Sequence, residues 1–498
     1  MSSLAVPGGG GAMAELPKLH KPAELYVSRR TREVSLPISI ALVGLVLLTP
    51  LPFGSVTPWA WGTFAALTAL ILAAWAILAV LGHHSIGGTS GLVRAAAVLY
   101  AVVIAWIVIQ ALPFTPRSWH HPIWLEAARA LGGSLTGKIS LDPGETMSGL
   151  VRLLWYGAIF WLALQMGRNK THARTGLKLF AWFALAYAAY GLLVNFAGWD
   201  VVLWVRKFVY QGDVTGTFIN KNSFAAFAGM GLICVTALLI DCVVDIPPSE
   251  VDRVGRPTAI VTTLVGRNWS LMLAWVVIFS AIILSNSRAG LVCSILGVIA
   301  LIVALSFSNA VPLRLGRWFA ATIAVVIVGV FVLSGDSIDK SFRYVGEQSQ
   351  ARIAIYETTV EMITDAPVLG MGFGTYPQVF QIYRKSGSDH RIPARKGHNT
   401  YLENAAELGI PAAAILVLAV VFLFLMCMTG VRTRRRDVAL PATGVATTVL
   451  LGLHSVVDFS LQIPAIAASF AFILGLACAQ SRSGTRIRGP RSKASAAD

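Results

Sequence analysis

Charge is scarce in this chain. Of its 498 residues only 13% are charged, against 56% hydrophobic, and mean hydropathy is positive. That balance excludes an ordinary soluble globular domain and predicts a polytopic membrane protein. Acidic residues are scarcest: 24 Asp and Glu face 40 Lys and Arg, a formal net charge of +16. Such a surplus suits nucleic acid in other settings, but here the cations fall in short clusters between apolar runs. That is how membrane topology is written, so the sequence predicts no nucleic-acid partner. The five cysteines (Cys234, Cys242, Cys293, Cys427, Cys478) lie in or beside apolar runs and form no CxxC, which argues against a disulfide framework or a thiolate metal site. Asp-x-Asp, HExxH and nucleophile-elbow motifs are also missing, so the sequence predicts metal-free chemistry and implies no cofactor.

What is present is a succession of apolar runs. At about 20 residues per span, they give about twelve: Pro37 to Phe53, Pro58 to Leu81, Leu92 to Pro113, Thr146 to Met166, Leu177 to Ala197, Asn222 to Val244, Trp269 to Ser285, Ala289 to Phe307, Trp318 to Leu333, Glu407 to Met428, Val438 to Val456 and Ser460 to Ala479. The fold class expected is an all-α polytopic membrane protein. Residues 1–36 form a polar basic tail without a cleavable signal pattern, 37–333 hold spans one to nine, 334–406 form one large polar loop, 407–480 hold spans ten to twelve, and 481–498 form a second basic tail. Arg168, Lys170, Arg174 and Lys178, then Arg253, Arg256 and Arg267, then Arg314 and Arg317, then Arg432 and Arg434 to Arg436 share one side with both tails. Cytoplasmic retention of Lys and Arg makes that side internal. The 334–406 loop is then outside, and its own basic residues (Arg343, Arg352, Arg384, Lys385, Arg391, Arg395, Lys396) break the rule. Ligand charge, as on a phosphorylated group, explains the exception. A second outer segment, Phe114 to Glu145, carries Trp119, Trp124, Arg117, Arg129 and Lys138, and reads as a headgroup-level helix or a plain connection.

Within the loop, Arg352, Tyr356 and Thr359 share a helical face at i, i+4 and i+7, a pattern that also suits a solvated amphipathic helix. Gly370-Met371-Gly372-Phe373-Gly374 lacks the strand and lysine of a phosphate loop and reads as a tight turn joining two loop segments. His398 and Asn399 precede a helix start, where Thr400 and Glu403 have the spacing of a capping box. Capping chemistry requires no histidine, whereas a histidine beside the free N–H groups of a helix start, which attract anions, is well placed as acid or base. Arg288, at the outer junction Ser285 to Arg288, is costly where positive charge is not retained and reads as functional, with snorkelling as the alternative. Asn220-Lys221-Asn222 at the outer start of the sixth span supports the same reading, so Lys221 and Asn222 join the candidates. His454, Asp458 and Gln462 lie at the outer boundary of the last two spans, where they either support the site or pair with each other.

Together, Ser287 to Gly290, the block Arg352 to Pro377 with Asp365 to Gly374, and His398 to Leu402 with Glu407 to Ile410 resemble, in order, the O-antigen ligase and O-antigen polymerase superfamily of bacterial inner-membrane glycan transferases. Gly216 to Phe218, Asn220 to Asn222 and His454 to Pro464 are similar too. The resemblance implies a C-type glycosyltransferase-like membrane fold, both termini cytoplasmic, and glycan transfer from undecaprenyl diphosphate to an acceptor hydroxyl at the periplasmic face, metal-independent and inverting. It implies Arg288 and Arg352 as the essential arginines and His398 as the essential histidine. Tyr356, Arg391, Arg395, Lys396, Asn399, Lys221 and Asn222 are candidate substrate contacts. The implied partners are a lipid-linked glycan donor, a lipid A core or growing polysaccharide acceptor, and membrane lipids. Ligase, O-antigen polymerase and exopolysaccharide polymerase stay open. A transporter or scaffold of an export complex is the alternative, disfavoured by spans almost free of central charge and by the Arg288, Arg352 and His398 set.

Overall fold

The computed structural model describes residues 36–83, 88–308, 338–384, 396–434 and 436–482, with side chains described from Arg352 onward in the third segment. The tails, the expected ninth span, Lys385, Arg391 and Arg395 lie outside the described residues. The described part is almost wholly helical; its strands are the short antiparallel pair Val201–Val202 and Val205–Arg206.

Seven of the described helices are long and apolar enough to cross a membrane. They are α2 (Pro58–Val80), α3 (Gly91–Ala111), α5 (Pro143–Met166), α6 (Lys170–Phe196), α7 (Lys221–Val244), α11 (Arg288–Ser306) and α15 (Ile410–Thr433). An eighth span is reached if Arg256–Arg267 and α10 (Trp269–Leu284), which meet at 77°, count as one. Three shorter apolar helices, α1 (Leu36–Leu48), α16 (Ala439–His454) and α17 (Pro464–Gln480), stand where the first, eleventh and twelfth spans were expected. Between them lie the short helices α4 (Ile123–Ala130), α8 (Pro248–Val254) and α9 (Arg256–Val261), then α12 (Ile338–Asp365), α13 (Tyr376–Tyr383) and α14 (Thr400–Leu408).

Two boundaries differ from the expectation for a physical reason. The tenth span does not begin at Glu407: α14 stops at Gly409, whose φ of +80° only glycine adopts without strain, and α15 restarts there with Pro411 in its first turn. The twelfth begins at Pro464 because Ser460–Gln462 is a short 3-10 turn.

Helices are buried according to their neighbours. α7 and α17 are packed on nearly every face, whereas α2 is largely exposed. Small residues allow the close contacts, as in membrane bundles generally. A Cβ on Gly475 of α17 would stand 2.6 Å from the Phe160 carbonyl of α5. Phe180, Phe218, Phe224 and Phe227 fill the remaining space around α7.

Apart from α11 and α15, which run in the same direction, successive spanning helices among the described residues alternate, so two ends can be told apart. The 50–55 turn, the 197–220 segment, the α10–α11 junction, α14 and the α16–α17 turn gather at one end. Thr217 Oγ1 donates to the Pro50 carbonyl, Ser287 Oγ to Asn222 Oδ1, and Thr400 N to the Ser455 carbonyl. The first residue of α1 and the last of α17 lie at the other end, together with Arg168, Lys170, Arg174 and Arg434.

Candidate active site

The site is assembled around the entry to α14. Asn399 is the N-cap, its side-chain oxygen accepting from the backbone N–H of Tyr401 and Leu402, each at 3.0 Å. The cap therefore lies one residue before the expected Thr400. Thr400 is the first helical residue and turns outward to donate its Oγ1 to the Asp458 carbonyl at 3.1 Å. Glu403 does not reach back to the cap either. Its buried carboxylate accepts from Gly397 N at 2.7 Å and from Lys396 Nζ at 3.2 Å. That grip on the approach to the helix helps hold His398 at a φ of +49°, uncommon for a residue with a Cβ. From the other side Tyr356 donates its hydroxyl to the His398 carbonyl at 3.1 Å.

The His398 ring stands edge-on to Phe459, centroids 5.0 Å apart, with Nδ1 3.9 Å from Asp458 Oδ1. Burial pulls its pKa below the ordinary histidine value, Asp458 opposes that, and Arg352 adds to it. A neutral imidazole near pH 7 results, which is the form that accepts a proton. Arg352 is half-buried, and its charge bears on Tyr210 and Tyr356 as well as on His398.

Beneath this pair lies polar surface that the protein leaves unpaired. His398 Nδ1, both ring nitrogens of His454, Ser455 Oγ, Asp458 Oδ2, Ser460 Oγ and Gln462 Oε1 are buried without a hydrogen-bond partner among the described residues. Buried polar atoms are ordinarily satisfied, so this run of orphans marks a polar patch suited to water or a polar ligand. His454, Asp458 and Gln462, which the sequence left as either support or a mutual pair, make no side-chain hydrogen bond to one another; they belong to this polar patch.

The second wall is built from the starts of α7 and α11. Lys221 Nζ pairs with Asp213 Oδ2 at 2.9 Å and lies 5.5 Å from the centre of the Tyr210 ring. Asn222 Oδ1 accepts from Ser287 Oγ at 2.8 Å, docking the two turns. Arg288, the first residue of α11, is exposed and has no ion pair among the described residues. Tyr210 joins the walls: burial raises its pKa, followed by the effects of Asp458, Arg352 and Asp213.

The glycine run braces α14 from below. A Cβ on Gly370 would fall 2.3 Å from the Glu407 carbonyl oxygen, and one on Gly372 2.4 Å from Ser140 Oγ. Both glycines have positive φ, and Met371 N and Gly372 N donate to the carbonyls of Ala406 and Glu407 at 3.0 Å. Here Glu407 is buried, accepts from Tyr376 N at 2.9 Å, and is pushed up to about 7, first by burial and then by the charge of Glu403.

Of the residues selected from sequence, His398, Arg352, Tyr356, Asn399 and Lys396 are thus gathered about the entry to α14. Lys221 and Asn222 lie on the second wall with Arg288 beside them, although Lys221, Lys396, Asn222 and Asn399 already have protein partners. Arg391 and Arg395 lie outside the described residues. Sequence reasoning passed over Tyr210 and Asp213, whose roles arise from contacts across the fold. Among the described residues no group of three or more His, Cys, Asp or Glu side chains is placed to hold a metal ion.

The comparison with protein families bears directly on this assembly. Residues 273–417 match the family model described as O-Antigen ligase. Over that stretch, less than a third of its length, the chain is similar to the O-antigen ligase family. The matched ligase segment contains Arg288, Arg352, Tyr356 and His398, and it stops short of Lys221, Asn222 and the His454–Gln462 turn. Comparison with curated proteins yields no match. At a coarse level the O-antigen ligase family implies a glycosyltransferase-like enzyme in a multi-pass membrane protein, with lipid-linked glycan and polysaccharide substrates.

Proposed function

We propose that the chain transfers a glycan from undecaprenyl diphosphate to an acceptor hydroxyl at the periplasmic face of the bacterial inner membrane, with both termini cytoplasmic, as an O-antigen ligase or as an O-antigen or exopolysaccharide polymerase. The observation that carries this reading is His398, held neutral among buried unpaired polar atoms and near Arg352, inside the ligase-like segment.

The acceptor hydroxyl delivers its proton to the His398 nitrogen that does not face Asp458, while its oxygen bonds to the anomeric carbon. The bond from that carbon to the diphosphate oxygen breaks, and its electron pair leaves with the lipid diphosphate. Arg288, exposed at the start of α11, and Arg352 meet the charge that builds on the departing oxygens through bidentate hydrogen bonds. The starts of α7 and α11, capped by Asn220 and Ser287, add only the residual positive end of each helix dipole on the same side. Asp458 stabilises the imidazolium that forms. Direct displacement inverts the anomeric configuration, and no step calls on a metal.

Complementation of a deletion strain tests the reading. Wild type, Arg288→Ala, Arg352→Ala and His398→Ala are expressed at matched membrane levels, with lipopolysaccharide and secreted polysaccharide resolved on gels. Each variant is expected to lose polymer. Accumulation of unligated lipid-linked chains identifies a ligase, and accumulation of single lipid-linked repeats a polymerase. Normal product from all three variants sinks the catalytic assignment and favours a transporter or scaffold.

A further inference from the structure

At the opposite end of the bundle, about 35 Å from the site by the length of α5, lies a cavity of about 490 Å³ that glycan transfer does not use. It opens between α3, α5, α15 and α17, where the loop before α3 meets the segment after α17. Four of its lining residues are cations, Arg168, Lys170, Arg434 and Arg482, and none is acidic. Leu164 and Met426 are among the apolar residues that form its inner wall.

The cations are held in place. Arg434 donates to the carbonyls of Gln480 and Arg482, tying the end of α15 to the end of α17, and Arg482 donates to the Gly88 carbonyl. The nearby carboxylate of Asp437 is already shared between Lys170 at 2.8 Å and Arg434 at 3.8 Å. Burial first, and then the charge of Arg482, pulls the Arg168 guanidinium below its ordinary pKa, as expected where cations crowd.

We propose that this cavity binds the phosphodiester headgroup of an anionic phospholipid, such as phosphatidylglycerol or cardiolipin. Two observations select a lipid over a free anion. The cations sit at the ends of apolar helices, the depth at which headgroups lie, and the inner wall is apolar, as an amphiphile requires. Fixed guanidiniums recognise phosphate oxygens in paired geometry, and basic pockets between membrane helices are a recurrent solution for anionic headgroups. The volume lies within the roughly 300–1,000 Å³ of ordinary ligand sites. Bound lipid would clamp α3, α5, α15 and α17 at the end away from the chemistry.

The test is thermal unfolding of the full chain in neutral detergent, with phosphatidylglycerol, phosphatidylcholine or inorganic phosphate added, together with native mass spectrometry of retained lipid. Phosphatidylglycerol is expected to raise the midpoint by several degrees and to give a retained-lipid peak. Phosphatidylcholine and phosphate are expected to do neither. The pair Arg168→Gln with Arg482→Gln loses both effects, and the pair Arg168→Lys with Arg482→Lys recovers part of them. The pair Arg253→Gln with Arg256→Gln, exposed cations in the α8–α9 segment, removes equal charge and keeps both effects. Equal shifts in the Arg168/Arg482 glutamine pair and wild type overturn the proposal. So does an equal loss in both glutamine pairs, or a phosphate effect matching that of the lipid. If the glutamine pair does not fold, the proposal is decided on wild type and the lysine pair: failure of either to retain phosphatidylglycerol over phosphatidylcholine overturns it.

Discussion

Asp458→Asn isolates the electrostatic support of the base. The amide keeps an oxygen to accept from Phe459 N, which meets Asp458 Oδ1 at 2.7 Å, so the turn is expected to stay folded. What disappears is a negative charge 3.9 Å from His398 Nδ1. With an effective dielectric of about 20, a unit pair at this separation is worth about 4 kcal/mol. That is about a thousandfold in the proton affinity of the ring at roughly 1.4 kcal/mol per decade. A transition state in which the proton is half transferred feels about half of this, so kcat is expected to fall between about 30-fold and 1,000-fold. KM for the lipid-linked donor stays near wild type, since Arg288 and Arg352 still meet the diphosphate. Steady-state transfer by purified protein in nanodiscs measures both parameters. A kcat within threefold of wild type, with the acid limb of the pH profile unmoved, refutes the assignment of Asp458 as the counter-charge to the imidazolium.

The remaining predictions follow from single contacts. Because burial lowers the pKa of His398, the acid limb of kcat/KM in wild type is expected below 6.5; a limb above 6.5 contradicts a base held neutral. By linkage the same group binds fewer protons folded than unfolded, so its contribution to stability grows as pH rises from its lowered value towards 6.5, and the unfolding midpoint of wild type relative to His398→Ala should rise across pH 5–7. For Glu407 the sign is opposite: its folded pKa is raised to about 7, so its contribution falls as pH rises through that value. Glu407→Gln is therefore expected to melt higher than wild type at pH 8 and about equally at pH 5. Gly370→Ala places a Cβ 2.3 Å from the Glu407 carbonyl at a φ of +66°, which costs about 2 kcal/mol or more and should show as lowered midpoint and membrane yield.

Sequence patterns of length and polarity carried much of the fold. Apolar runs such as Asn222 to Val244 anticipated α7 because a span needs little beyond sustained hydrophobicity. Helix ends were less legible because they depend on backbone geometry. The break at Gly409 and the turn at Ser460–Gln462 moved two expected span starts, and Asn399 rather than Thr400 proved to be the cap. At the site, His398 and Arg352 could be selected as polar side chains out of place in an apolar chain. The nearness of Asp458 to His398 could not, since 60 residues and three helices separate them in sequence and only folding gives the 3.9 Å approach. Tyr210 and Asp213 were hidden for the same reason, in a segment whose composition resembles any polar connection. Conversely, Lys221 was selected in sequence as a candidate substrate contact, and the fold provides Asp213 as its partner.

The most direct test of glycan transfer is a single-turnover reaction of the purified chain with a defined undecaprenyl-diphosphate-linked glycan and an acceptor, reading released lipid diphosphate and the anomeric configuration of the product. Wild type is predicted to release lipid diphosphate with inversion, and His398→Ala to do so at least about 100-fold more slowly. Retention of configuration, or equal turnover by His398→Ala, would contradict the account.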